Sequence, residues 1–269
     1  MTADSKARKS IWKIQLEEPE DNSNLIEISK KLLEISFKPL TRPNLGLHGR
    51  TEKELRWLLR VFTASSMSSF RDMLKTYLVL RANELEAGSF LVLRNMFEML
   101  AGAHYVHQKF SEYLDANDTE NAWKLLDTVV TGSKFARLVH NPPPPVSDPL
   151  KIGLLINSLD SFDSTSRKGW AYEHYRFLSE FSHPDAMTYL HYHRIDAQTL
   201  QTTFFTEPEP DKGFLRTTVG WMVVMAGQIY GRLFHKAQFR TQERLLAHAM
   251  STFRESETKF AKSSSIRAC

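Results

Sequence analysis

Apolar residues recur every three or four positions in segment after segment of this chain, and the strict alternation that marks a half-buried strand is almost absent. That periodicity predicts an all-α protein, a bundle of about eight helices over residues 22–38, 52–84, 87–114, 118–139, 149–160, 167–183, 212–237 and 239–258. Asn22, Thr51, Asp118 and Asp211 stand where a side-chain oxygen accepts a hydrogen bond from the orphan amides of the following turn. The long break is NPPPPVSDP, Asn141 to Pro149, where four consecutive prolines remove amide donors and fix an extended path. It reads as a stiff connector between two helical blocks, with a proline ligand for a partner protein as the alternative. Between Tyr189 and Pro210 the helical rule fails: TLQTTFFTEPEP is rich in Thr and Phe and ends in a proline-broken turn, so the stretch near 189–210 is expected to be irregular or a short hairpin. One helical domain over 22–258 follows, with polar segments 1–21 and 259–269 expected to fray at its ends.

Composition narrows the classes. At 269 residues, 42% hydrophobic and 25% charged, the chain has enough apolar material for a sizeable core. Its 35 basic and 31 acidic side chains leave a net charge of +4, scattered along helix after helix rather than gathered in a stripe, which permits an anionic partner without demanding one. Cys269 is the only cysteine, which excludes an intrachain disulfide framework and a cysteine-based zinc site and points to a reducing, cytoplasmic setting. The basic residues near Met1 precede no apolar run, so no signal peptide is expected. Val219 to Tyr230, the most apolar stretch, falls short of the ~20 residues that span a bilayer; it reads as a buried helix and no membrane association is expected. The chain lacks G-x-G-x-x-G, a phosphate-loop signature and G-x-S-x-G, so neither nucleotide-dependent nor α/β-hydrolase chemistry is expected, and no cofactor is implied.

Two polar stripes stand out against this background. In the helix that contains HYRFLSEFSHPD (His174 to Asp185), Trp170, Phe177, Leu178 and Phe181 define a core face, while Tyr172, Tyr175, Arg176, Ser179 and His183 cluster on the other side. Pro184 disfavours helical geometry at His183 and ends the helix there, leaving the imidazole beside unpaired carbonyls at the negative end of the dipole. That position favours the protonated ring, suited to a general acid or a phosphate contact. The second stripe lies in SFLVLRNMFEMLAGAHYV (Ser89 to Val106), apolar on nearly every side, yet with Arg94, Glu98 and Tyr105 aligned. An ion pair in such surroundings needs further hydrogen bonds, and the stripe around Ser179 and His183 is the expected source of them. Alternatively Arg94 and Glu98 pair only with each other at i, i+4 and fix the packing.

An Arg-x-x-x-Glu helix followed about eighty residues later by a Tyr-x-x-x-Ser-x-x-x-His-Pro helix end resembles a widespread set of bacterial all-helical proteins of uncharacterised function; the matching residues are Arg94 and Glu98, then Tyr175, Ser179, His183 and Pro184. A second similarity is to the HEPN superfamily of helical ribonucleases and toxins, whose signature is Arg, four to six residues, then His. Arg176 and His183 fit it with six between, although Phe177 stands where a polar residue is preferred. Arg42 with His48 and Arg167 with His174 share the spacing, but only Arg176 and His183 combine a helix end, a common face and neighbouring Tyr and Ser. This resemblance implies metal-independent RNA cleavage of a toxin or phage-defence type, by a homodimer. His183 would move a proton at the 2′-hydroxyl or the leaving oxygen, and Arg176 would stabilise charge on the phosphoryl group.

Other readings compete. His183, Asp185, His191 and His193 are dense enough to hold a divalent metal, though no recognised metalloenzyme spacing is matched. The remaining histidines, among them His104, His107, His140, His235 and His248, read as packed or solvent-facing, and Trp221, Met222, Met225 and Tyr230 as core. A non-catalytic helical interaction or regulatory module is the second function class, supported by the absence of a complete catalytic motif. Access separates the two: an enzyme needs the Arg176, Ser179 and His183 face open in a cleft, whereas a packing role closes it against Arg94 and Glu98.

Overall fold

The structure, a computed structural model, describes residues 23–41, 43, 51–83, 85–131, 150–162, 168–182, 193–195, 198–199, 201–204 and 212–251. Within them the chain is all-α, with helices α1 (Ser23–Glu34), α2 (Glu52–Ala82), α3 (Glu86–Asp115), α4 (Thr119–Thr131), α5 (Ile152–Ser158), α6 (Trp170–Ser182), α7 (Lys212–Lys236) and α8 (240–251). A 3-10 turn, Leu159–Ser161, follows α5. Two short strands, β1 (His193–Ile195) and β2 (Thr202–Phe204), pair antiparallel with His193 opposite Phe204, the hairpin expected between 189 and 210. Among the described residues no helix is long and apolar enough to cross a membrane.

The bundle is built on α3. Phe90, Leu93, Met96, Phe97, Leu100, Ala101, Ala103, Val106 and Phe110 are all buried, and α2, α4, α5, α6 and α7 pack against it. Each large apolar side chain fully removed from water there contributes about 1.5–3 kcal/mol. One part of the expected enclosure fails: Leu91 is 46% exposed, so α3 keeps a solvent-facing strip on the side of Arg94 and Glu98. A three-residue connection joins α2 to α3 and forces them antiparallel. In it Asn83 Nδ2 donates to the Val79 carbonyl (2.8 Å) and the Leu85 amide to the Leu80 carbonyl (2.9 Å), satisfying carbonyls that the helix end leaves open.

Two of the expected caps form. Thr51 Oγ1 accepts from the Glu54 amide at 3.3 Å, and Asp118 Oδ1 accepts from the Asn121 amide at 3.1 Å. Asn22 and Asp211 lie outside the described residues, as do segments 1–21 and 259–269 and the proline stretch from Asn141 to Pro149. The first helix ends at Glu34, four residues short of the expected 38. Pro39 disfavours a helical Lys38, and distant side chains take over the released carbonyls. Arg71 Nη1 donates to the Ile35 carbonyl (2.8 Å) and Gln242 Nε2 to that of Ser36 (2.7 Å), while Phe37 packs edge-on to Phe239. The stretch is held by tertiary contacts that helical continuation would forfeit.

Helix α7 carries Val219 to Tyr230 into the core as expected, with Met222, Met225, Ile229 and Tyr230 buried. Its fully buried phenol is satisfied by Ser66 Oγ at 2.8 Å. A Cβ built at Gly227 would stand 2.5 Å from the Met250 sulfur, so a side chain there would have to displace that of Met250 on α8.

Candidate functional site

Helix α6 is anchored at its start by a residue from outside it. Gly169 adopts φ +87°, a left-handed conformation that glycine takes without strain, and turns its amide towards Asp160 in the 3-10 turn. Asp160 Oδ2 accepts from the Gly169 amide (2.8 Å) and Oδ1 from the Ala171 amide (3.2 Å), so one carboxylate satisfies two orphan donors at the positive end of the helix dipole. Ala171, Leu178 and Phe181 then face the core, Phe181 stacked on Phe90 with ring centroids 4.4 Å apart. Trp170 and His174 join Phe97 and Trp221 in an aromatic cluster whose ring centroids lie 4.8–6.4 Å apart. Burial holds the His174 imidazole below its ordinary pKa, so at neutral pH it is an uncharged member of that cluster.

The two polar stripes do meet, at Tyr175. Arg94 Nε donates to Glu98 Oε1 (3.2 Å), Arg94 Nη2 donates to the Tyr175 hydroxyl (3.1 Å), and that hydroxyl donates to the same Glu98 oxygen (3.0 Å). The Arg94 guanidinium also lies 5.4 Å from the Tyr175 ring centroid, within range of a cation–π contact. Burial works against the arginine cation, but the Tyr175 bond and the Glu98 charge outweigh it and hold its pKa above the usual value. The side chains of Arg94 and Glu98 are 21% and 29% exposed, so the triangle sits at the edge of the core, where residual hydration tempers the cost of an ion pair.

Around α6 the five aligned residues divide. Ser179 Oγ bends back to the Tyr175 carbonyl (2.9 Å), a bond within its own helix, and does not reach Arg94 or Glu98. Tyr172 is exposed, and Arg176 is 73% exposed and tied to Glu180 one turn on (3.2 Å). His183, Pro184, Asp185 and His191 lie outside the described residues, and of His193 only the backbone, in β1, is described. Among the described residues no group of three His, Cys, Asp or Glu side chains is placed to hold a metal ion. Tyr105, aligned with Arg94 and Glu98 in sequence, is half-buried on the same helix; burial pushes its phenol pKa up.

A cavity of about 350 Å³ opens elsewhere, between α2, α3 and α4, lined by Phe62, Ser66, Met99, Gly102, Val129 and Val130 among others, with no titratable side chain. It offers no acid or base. Polar groups gather on the outer side of α6 and also, separately, where α3 meets the 3-10 turn. There His104, buried, has Nε2 3.1 Å from the Ser161 hydroxyl. From the sequence His104 and His107 are packed or solvent-facing; their spacing at i, i+3, which places both on one face, is the signal that groups them. Nothing local marks Asp160 as the cap of a helix that begins ten residues away. Comparison with family models, with curated proteins and with solved structures finds no match to the chain.

Proposed function

We propose that the protein is a HEPN-like, metal-independent RNA endonuclease of a toxin or phage-defence type, with its reacting groups at the C-terminal half of α6. The observation that supports this most directly is the guanidinium of Arg176, presented to solvent on a helix immobilised behind it by Asp160 and by the Arg94, Glu98 and Tyr175 triangle. In this reading Arg176 exchanges its exposed partner Glu180 for a scissile phosphate, a stronger and bidentate contact. His183, seven residues on in the sequence, moves the proton between the RNA 2′-hydroxyl and the leaving 5′-oxygen. Ring closure of the 2′-oxygen onto phosphorus needs no metal, since Arg176 stabilises the charge that develops on the phosphoryl oxygens. Tyr172, exposed on the same helix, offers a surface on which a base can stack. The enzyme works as a cytoplasmic homodimer, and exposed Leu91, one turn before Arg94 on α3, belongs to the surface a second copy covers.

A specific observation also favours a second reading, a non-catalytic interaction module. The Arg94, Glu98 and Tyr175 triangle satisfies its own members, and Ser179 is spent on its own backbone, as in a junction that only fixes packing. Purified protein incubated with total RNA in EDTA separates the two. The endonuclease reading requires cleavage by the wild type and none by a folded His183→Ala variant; cleavage retained in that variant, or absent from the wild type, leaves the interaction module.

A further inference from the structure

Away from α6, the junction of α3, the 3-10 turn and the C-terminal part of α7 gathers positive charge that no carboxylate among the described residues pairs with. His104 and His107 share one face of α3 and Arg232 and Lys236 one face of α7, each pair spaced to lie side by side on its helix. Phe162 ties the two helices together: its ring lies edge-on to His104 at 5.7 Å between centroids, and the Arg232 guanidinium lies 5.9 Å from the same ring. The Arg232 side chain is exposed and makes no hydrogen bond among the described residues, a cation–π contact leaving its N–H edge unused. Ser161, exposed beside His104, donates to the Ser158 carbonyl (2.7 Å), and one bond rotation turns that proton to an incoming oxygen.

No counter-ion is at hand among the described residues. Arg232 and Lys236 make no ion pair among the described residues, and His107, half-buried, makes no hydrogen bond among them. Two described carboxylates of the neighbouring elements are engaged otherwise: Asp160 caps α6, and Glu243 binds His235 (2.8 Å). Burial, first of all, drives both histidines down to a pKa of about 4; His107 and Arg232 add to it at His104, where a bond to the Ser158 backbone opposes them, and Arg232 and Lys236 add to it at His107. At neutral pH the corner therefore offers two fixed cations, neutral imidazoles and a hydroxyl. Such a set complements a compact oxyanion with several acceptor oxygens.

We propose that this corner is a binding site for a phosphate group, with Arg232 and Lys236 supplying the charge and His107 and Ser161 supplying neutral hydrogen bonds. The site is built from α3, the 3-10 turn and α7 and stands independently of the RNA-cleavage reading of α6. The phosphate arrives either as the monoester of a small metabolite or as a diester of an RNA backbone, the shared chemistry being the anionic phosphoryl oxygens.

Calorimetric titration of the full chain with inorganic phosphate, with adenosine 5′-monophosphate and with a short oligoribonucleotide lacking terminal phosphates tests it and separates the sources. Saturable binding of the first two, weakened at least tenfold by Arg232→Gln and by Lys236→Gln, establishes a monoester site. The same dependence seen only with the oligonucleotide establishes a backbone site. Both side chains are exposed, so these variants fold, and loss of binding in them reads the site rather than stability. A second readout follows from electrostatics: a bound anion raises the titration midpoints of His104 and His107, measurable from their ring proton resonances, and a phosphate bound elsewhere leaves them in place. No saturable binding of any of the three probes, or binding that both variants retain in full, overturns the proposal.

Discussion

Replacing Tyr175 with Phe removes one hydroxyl and nothing else: the ring remains under the Arg94 guanidinium, and the ion pair of Arg94 with Glu98 keeps its own 3.2 Å contact. That hydroxyl joins two charged groups on α3, accepting at 3.1 Å and donating at 3.0 Å. Hydrogen bonds to charged groups contribute about 1.5–3 kcal/mol each where water is excluded. Here the charged side chains are 21% and 29% exposed, and water recovers part of each bond, so the expected loss for the pair is about 1–2 kcal/mol. Urea unfolding measures it as a lower midpoint at unchanged m-value. The magnitude alone does not prove the route, so Tyr175→Phe is combined with Glu98→Gln. If the three groups act as a unit, the double variant is less destabilised than the sum of the singles, with a coupling of about 1 kcal/mol. Additivity within about 0.3 kcal/mol would refute the triangle as the link between α3 and α6.

Three further outcomes are expected. Asp160→Ala strips both orphan amides at the start of α6 of their acceptor and lowers stability by about 1–2 kcal/mol in the same unfolding assay; an unchanged midpoint contradicts the remote cap. Ser66→Ala strands the buried Tyr230 hydroxyl and costs about 1–3 kcal/mol, whereas adding Tyr230→Phe removes the stranded group and recovers part of that loss. A double variant no better than the single shows that the hydroxyl is not isolated. His104 has a folded-state pKa of about 4 against an ordinary 6.5, so the unfolded chain binds the proton more readily. Stability is therefore unaffected above pH 6.5 and falls as the pH drops from there towards 4, by on the order of 2–3 kcal/mol from this group. Unfolding midpoints measured from pH 8 to 4 for the wild type and His104→Gln should converge at low pH; parallel curves contradict it.

How much the sequence discloses varies with how local the causes are. Helices α2, α3 and α7 are legible to within two residues because long apolar periodicity and, at Thr51, an adjacent cap fix them from within. The end of α1 is not legible, because the carbonyls of Ile35 and Ser36 are claimed by Arg71 and Gln242, 36 and 206 positions away. The charged pair on α3 announced that it needed partners, but not which. Tyr175, on the flank of its helix, reaches across with a long ring, while Ser179 spends its short hydroxyl on the carbonyl four residues back. Of the residues aligned on one side of α6 by helical geometry, the four that are described thus serve different surroundings: Tyr175 bonds to α3, Ser179 to its own backbone, and Tyr172 and Arg176 face solvent. Asp160 has no signature at all, since a cap supplied across a turn follows from the path of the chain rather than from spacing.

The proposed function rests on Arg176, and its exposure makes it removable without touching the core. The most direct measurement is the initial rate of cleavage of a labelled oligoribonucleotide in EDTA by the wild type and by Arg176→Ala, with an all-deoxy strand of the same sequence as control. The account predicts cleavage of the ribose strand alone and a rate at least a hundredfold lower in the variant. An intact ribose strand with the wild type, or equal rates for the two proteins, would contradict it.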